Sequence, residues 1–243
     1  MRKNIQPIIL FFCFLTSIFF LSFQPIKNVN SLEGSWHWQG ESQEAIISFV
    51  DGYCVFTSYD QHHKKFDYTW GGHYKLEGTN IIIELQFHSG TKELAGTVFS
   101  FPVQFKKEQL MASFRGGDAN EIWINKDNGK APLAGIWRIA GRKQGDQLTE
   151  MQLGSRRTLK ILSAARFQWA AINIETKEFF GTGGGSYRFE NGKYIESIEF
   201  FSRDSSRVGA SLSFDGKIEN NEWHHSGLSS KGEPIYEIWK RIN

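Results

Sequence analysis

The chain states its plan twice. Leu32-Glu33-Gly34-Ser35-Trp36 opens one stretch and Glu121-Ile122-Trp123 closes it; Leu133-Ala134-Gly135-Ile136-Trp137 opens a second and Glu237-Ile238-Trp239 closes that. Between these marks, Gly71-Gly72-His73-Tyr74 matches Gly184-Gly185-Ser186-Tyr187, and Phe99-Ser100-Phe101 matches Leu212-Ser213-Phe214. A period of about 100 residues is far longer than a solenoid unit, so each copy is a complete domain with its own core. The division runs 32–126 for the first domain, 127–132 for a polar linker (Asp127-Asn128-Gly129-Lys130-Ala131-Pro132) and 133–243 for the second. With a linker this short the two domains should touch or nearly touch.

Within each copy, short runs rich in Val, Ile, Phe, Tyr and Trp alternate with Gly, Asn, Asp and Ser, the pattern of an all-β fold. Asp51-Gly52, Glu77-Gly78, Asn191-Gly192 and Asn220-Asn221 suit the positive φ angles of tight hairpins. Hairpin after hairpin makes an antiparallel meander. About eight strands close into an up-and-down barrel, because closure removes two exposed edges. The glycine clusters at Gly71-Gly72 and Gly183-Gly184-Gly185 precede strands rather than helices, so they read as bulges or bends and not as a phosphate loop.

Strand periodicity assigns faces. Phe167 and Trp169 point together, as do Val208, Ala210, Leu212 and Phe214. Glu196 shares a face with Tyr194 and Ile198, while Glu199 falls on the other, with Ile195, Ser197 and Phe201.

The N-terminus, 1–31, reads as a signal peptide or N-terminal anchor. Arg2 and Lys3 precede an uncharged run from Ile8 to Phe23, somewhat short of the roughly 20 residues that span a bilayer. Export follows, to the periplasm, cell envelope or exterior, with membrane anchoring if the segment is retained. Cys54 is then the one cysteine of the mature chain, so an internal disulfide is excluded; its place in a strand-like run makes it a buried apolar residue. A net charge of +2 with scattered Lys and Arg argues against nucleic acid as a partner.

Gly34-Ser35-Trp36 and Gly135-Ile136-Trp137 resemble the Gly-x-Trp opening of the lipocalin or calycin group. The resemblance implies two tandem antiparallel up-and-down lipocalin-like β-barrels. It also implies that Trp36 and Trp137 plug the closed ends, each covered by a basic residue, Lys126 in the first copy and Lys240 or Arg241 in the second. The second copy, through Lys160-Ile161-Leu162, Phe167-Gln168-Trp169, Gly183-Gly184-Gly185-Ser186-Tyr187, Tyr194-Ile195-Glu196-Ser197-Ile198-Glu199, Trp223-His224-His225-Ser226-Gly227 and Glu237-Ile238-Trp239-Lys240-Arg241, is similar to a family of exported bacterial lipocalin-like proteins that carries no established activity.

An eight-stranded barrel has room for one small ligand if side chains do not fill it. The expected role is therefore binding of a small, partly apolar molecule in the second barrel, with Phe167 and Trp169 as the apolar wall and Tyr187, Glu196 and His225 as polar contacts. Arg166, Glu199 and His224 are further polar residues of interest. An enzyme of the hydratase or cyclase kind, acting on an isoprenoid-like substrate with Glu196 or Glu199 and His225 as acid and base, is the alternative. A cell-envelope interaction module with filled barrels is a third. Adjacent histidines on a strand point to opposite faces, so His62-His63 and His224-His225 make no metal site. His73 and His225 lie in strand-like runs where a small calycin barrel would hold haem, but no attachment motif accompanies them, and no cofactor is assigned.

Overall fold

The computed structural model describes residues 32–116, 121–145, 147–229 and 231–242. The expected leader, 1–31, lies outside the described residues. The protein is two antiparallel β-barrels in tandem, one nearly closed and one closed.

The first sheet contains β1 (Gly34–Gln39), β2 (Glu44–Val50), β3 (Tyr53–Asp60), β4 (Lys65–Glu77), β5 (Asn80–His88), β6 (Val98–Pro102), β7 (Gln104–Lys106), β8 (Gln109–Met111) and β9 (Ile122–Asn125). Its order is β6-β5-β4-β3-β2-β1-β9-β8-β7. The seam lies between β6 and β7, consecutive in the chain but unpaired, with Pro102 at the break.

The second sheet contains β10 (Gly135–Gln144), β11 (Gln147–Glu150), β12 (Arg156–Leu162), β13 (Arg166–Asn173), β14 (Glu178–Glu190), β15 (Lys193–Phe201), β16 (Ser211–Glu219), β17 (Glu222–Leu228) and β18 (Pro234–Arg241). Here β10 pairs with β18 and closes the barrel, and β11 hangs on the far end of β10 as an extra strand.

The hairpin turns form where their residues allow positive φ. Asp51 and Gly52, Asn191 and Gly192, and Asn220 and Asn221 all lie there, as does Gly78. The strand expected to carry Val208, Ala210, Leu212 and Phe214 on one face begins only at Ser211, because Ser205–Arg207 form a single 3-10 turn capped by the Asp204 side chain. Val208 and Ala210 therefore precede the strand, while Leu212 and Phe214 share its inner face.

The glycine pairs are bulge sites in both barrels. The β4–β5 register slips between Gly71 and Gly72, and the β14–β15 register between Gly184 and Gly185. The physical reason is close approach. A Cβ on Gly72 would lie 1.9 Å from the Glu84 carbonyl oxygen, and one on Gly185 would lie 2.0 Å from that of Ser197. The slip adds a residue at Glu199 and reverses the faces beyond it. Phe201, expected on the face of Ile195 and Ser197, therefore turns inward with Glu196 and Ile198. Phe200 instead turns outward onto Tyr59 of the first barrel.

Trp36 and Trp137 are buried, and each indole N–H donates to the carbonyl four residues earlier, Leu32 at 2.9 Å and Leu133 at 2.8 Å. The Arg241 guanidinium lies 4.2 Å from the centre of the Trp137 ring, a favourable cation–π placement. Gly135, at φ +143°, has no Cβ because the Arg241 guanidinium fills that space. The first barrel differs: Trp36 packs on Phe105, with ring centres 6.1 Å apart.

The barrels share an outer-face interface. Val50, Tyr53 and Val55 pack against Leu159, Ile161 and Ala170. The Thr57 hydroxyl donates to Gln168 Oε1 at 2.9 Å, and Gln168 Nε2 donates to Thr69 at 2.9 Å and to Thr182 at 3.0 Å, so the buried amide is satisfied at both ends. This explains why β3 is buried along its whole length: one face lines its own barrel and the other meets the neighbour. The linker is held as well. Asp127 accepts from the Ser163 hydroxyl at 2.7 Å and from the Ala164 and Ala165 amides at the β12–β13 turn.

Candidate functional site

The interior of the second barrel holds a cavity of about 420 Å³. Its apolar wall includes Phe167, Trp169, Ile198, Phe201, Leu212 and Phe214. Its polar side is built by Lys160 from β12, Glu196 from β15, His225 from β17 and Glu237 from β18. Inward-facing positions on β12, β15, β17 and β18 bring these four together across the closed barrel although the chain separates them widely.

Lys160 is the centre of this arrangement. Its Nζ donates to Glu196 Oε1 at 2.8 Å, and both side chains are less than a tenth exposed. The ammonium also lies 4.9 Å from the ring centres of Tyr194 and Trp223 and 5.3 Å from that of Trp239. A buried ammonium is tolerable only when counter-charge and ring faces replace its water.

His225 is 2% exposed, and neither ring nitrogen has a hydrogen-bond partner; its nearest carboxylate oxygen, Glu237 Oε2, is 3.6 Å from Nδ1. The Tyr194 hydroxyl and the Trp223 indole nitrogen are likewise buried without partners. Glu237 is well engaged, accepting from Arg142 at 2.7 Å and from the Trp239 indole at 3.1 Å.

Burial, and then the Lys160 charge, hold the His225 imidazole below its ordinary value, so the folded barrel keeps it neutral near pH 7. Burial works to raise the Glu237 carboxyl, but His225, Lys160 and Arg142 outweigh it and hold the group at about 2, against an ordinary 4.5. Both shifts make the fold sensitive to acid. The unfolded chain takes up a proton at His225 near pH 6.5 and the folded barrel resists, so stability falls as pH drops below about 6.5. The Glu237 contribution is lost as pH falls from 4.5 toward 2. We expect the urea midpoint to decline between pH 7.5 and pH 5, with a shallower decline in His225→Ala; equal slopes in the two proteins would refute the assignment.

Four of the five sequence-predicted contact residues, Phe167, Trp169, Glu196 and His225, line the cavity. Tyr187 lies outside the cavity lining: it is buried in the barrel core, donating its hydroxyl to the Ser163 carbonyl at 2.7 Å and packing on Tyr194. Glu196 accepts from Lys160 through Oε1. Arg166 and Glu199 point out of the barrel and pair with each other at 2.7 and 2.5 Å. There Glu199 also accepts from Tyr59 of the first barrel at 3.1 Å. His224 faces outward to the Tyr236 hydroxyl, and His73 is exposed beside Gln86. Sequence reasoning missed Lys160. The signal was available in the odd basic residue inside the apolar run Leu159-Lys160-Ile161-Leu162.

The register makes the two barrels comparable position by position. Trp36 pairs with Ile47 as Trp137 pairs with Lys160. Ile83 stands where Glu196 does, two residues before the residue opposite the bulge glycine. Leu110 opposes Trp123 as Trp223 opposes Trp239, which sets Ala112 against His225. Ile47, Ile83, Leu110 and Ala112 are all buried. The first barrel is thus apolar at the positions of Lys160, Glu196, Trp223 and His225, whereas Glu121 keeps a carboxylate at the position of Glu237. It is also more tightly filled: Trp70, opposite Phe56 as Gly183 is opposite Trp169, stacks on Phe56 with ring centres 4.9 Å apart. A smaller depression of about 280 Å³ remains at its mouth, beside Phe99, Phe101 and Arg115.

No curated protein matches the chain. The second barrel, over residues 132–243, matches the model of a family described as a domain of unknown function (DUF4488).

Proposed function

We propose that the protein is an exported lipocalin-like binding module whose second barrel holds one small, partly apolar molecule, with the first barrel as a packed structural partner. One observation carries this reading. His225, on the wall of a cavity of about 420 Å³, is buried with no hydrogen-bond partner at Nε2 and only the Glu237 carboxylate, 3.6 Å away, beside Nδ1, and the Tyr194 hydroxyl and Trp223 indole nitrogen are buried without partners in the core that backs this wall. Each such group costs about 1–3 kcal/mol when left unsatisfied, and a ligand that bonds to it recovers part of that cost. The cavity size falls within the usual range for small-molecule sites, and its mixture of aromatic wall and few polar groups is typical of them. The register-equivalent residues of the first barrel are apolar and need no such partner, which separates a site from a packed core. The Gly-x-Trp openings, the cation over Trp137 and the charge-free run at 8–23 support the lipocalin-like and exported parts of the reading.

Native mass spectrometry of the protein purified from its own host tests the proposal. The expected spectrum contains an added mass of one small molecule per chain, reduced in His225→Ala. A clean apo mass, together with unchanged tryptophan fluorescence when apolar solutes are added, would overturn it.

A further inference from the structure

We infer that the mouth of the second barrel carries an anion subsite formed by Arg138, Arg156, Arg157 and Arg203. Its ligand is then an amphiphile that sets a carboxylate or phosphate monoester on these arginines and its apolar body in the cavity. The inference rests on the binding reading above and adds the class of molecule.

Strand direction places the groups. Trp137, near the start of β10, plugs the closed end, so the end of β10, the start of β12 and the end of β15 surround the mouth. Arg156 and Arg157 open β12, and Arg203 follows β15. With Arg138 they line a depression of about 300 Å³ that shares Ile139, Met151 and Thr158 with the cavity, so the two spaces are contiguous.

The charge balance of this depression is one-sided. No carboxylate lines it, and among the described residues none of the four arginines lies within ion-pair distance of one. By contrast Lys160, Arg142 and Arg166, elsewhere in the same barrel, are each paired. Backbone and ring contacts hold the guanidiniums instead. Arg138 donates to the Met151 carbonyl at 3.1 Å, Arg157 to that of Gly154 at 3.0 Å and Arg203 to that of Phe180 at 2.6 Å. Arg156 lies 4.5 Å from the centre of the Phe180 ring.

Arg157 and Arg203 use their Nε for these bonds, which leaves the terminal amino groups for another acceptor. Arg203 also sits 5.9 Å from the ring centre of Trp169, a wall residue of the cavity, and so joins the two spaces. Clustered like charges repel, and a carboxylate or phosphate that accepts bidentate bonds relieves the repulsion.

The test compares decyl phosphate, decanoate and decanol by tryptophan fluorescence and calorimetry on the folded two-barrel protein at low salt. Decyl phosphate and decanoate should bind at least tenfold more tightly than decanol. The double variant Arg156→Gln/Arg203→Gln should weaken both anions about tenfold and leave decanol unchanged. Equal affinities for all three, with no effect of the double variant, would overturn the anion subsite and leave the cavity reading standing. If none of the three binds, both readings fall. Sedimentation with phosphatidylglycerol vesicles separates the sources of the anion: capture by vesicles without binding of free decyl phosphate would also overturn the inference, because it would place the arginines on a bilayer surface rather than on a single amphiphile.

Discussion

Lys160→Ile is expected to lower the stability of the protein by about 3–5 kcal/mol, because it leaves the Glu196 carboxylate buried without its counter-charge. The pair is nearly inaccessible to solvent, so bulk water cannot take over the role of the ammonium. The double variant Lys160→Ile/Glu196→Ile should recover most of that loss. It installs the residues that already occupy the matching places in the first barrel, Ile47 and Ile83, both fully buried. A pair of well-packed apolar residues often equals a buried ion pair in stability, since neither has to be desolvated as a charge. Urea unfolding of the wild type, each single variant and the double variant completes the cycle. A neutral Lys160→Ile, or a double variant no better than the single, would refute the view that the pair is held against a desolvation cost. The same double variant should lose ligand, since the pair forms the polar side of the cavity.

Arg166→Met is expected to cost about 3 kcal/mol, by the same logic at the joint between the barrels. Burial works to raise the Glu199 carboxyl, but the Arg166 guanidinium outweighs it and holds the group below its ordinary range. Without Arg166 the carboxylate keeps only neutral donors such as Tyr59. Both side chains of the pair retain some contact with solvent, which moderates the loss relative to a fully buried pair. Tyr59→Phe removes one hydrogen bond to a charged group and should cost less, about 1.5 kcal/mol. Urea midpoints measure both. An Arg166→Met protein as stable as the wild type would mean that the interface is carried by its apolar contacts and the Gln168 network alone.

How much of the site was legible depended on the kind of information each residue carried. Alternation grouped Phe167 with Trp169, and Glu196 with Tyr194 and Ile198, because it assigns a face to any residue within an unbroken strand, and these groupings hold in the barrel. Phe201 was misplaced because alternation fails across a bulge. The bulge itself was written in the paired glycines, but the residue it inserts lies on the partner strand, about 14 positions later. Tyr187 was misread for a different reason. It does point inward, yet its height along the barrel puts it at the plugged end, against Ser163, below the cavity. Height depends on the stagger between strands, which alternation does not encode. Arg166 and Glu199 looked like chemistry because charged residues in strands invite that reading, but they serve the contact with the other barrel.

By itself the sequence determined the all-β class, the duplication and the positions of the tight turns. Each of these follows from local chemistry: strand propensity, residues that tolerate positive φ, and motifs repeated in order. Only the tertiary structure decided that one barrel is hollow and polar while the other is packed and apolar. That difference comes from five positions on four strands, where Lys160, Gly183, Glu196, Trp223 and His225 take the places of Ile47, Trp70, Ile83, Leu110 and Ala112. Each exchange is unremarkable in its own strand. Their joint effect exists only once the sheet closes and sets all five against one enclosed space, where an ammonium needs a carboxylate, and a glycine in place of an indole leaves room.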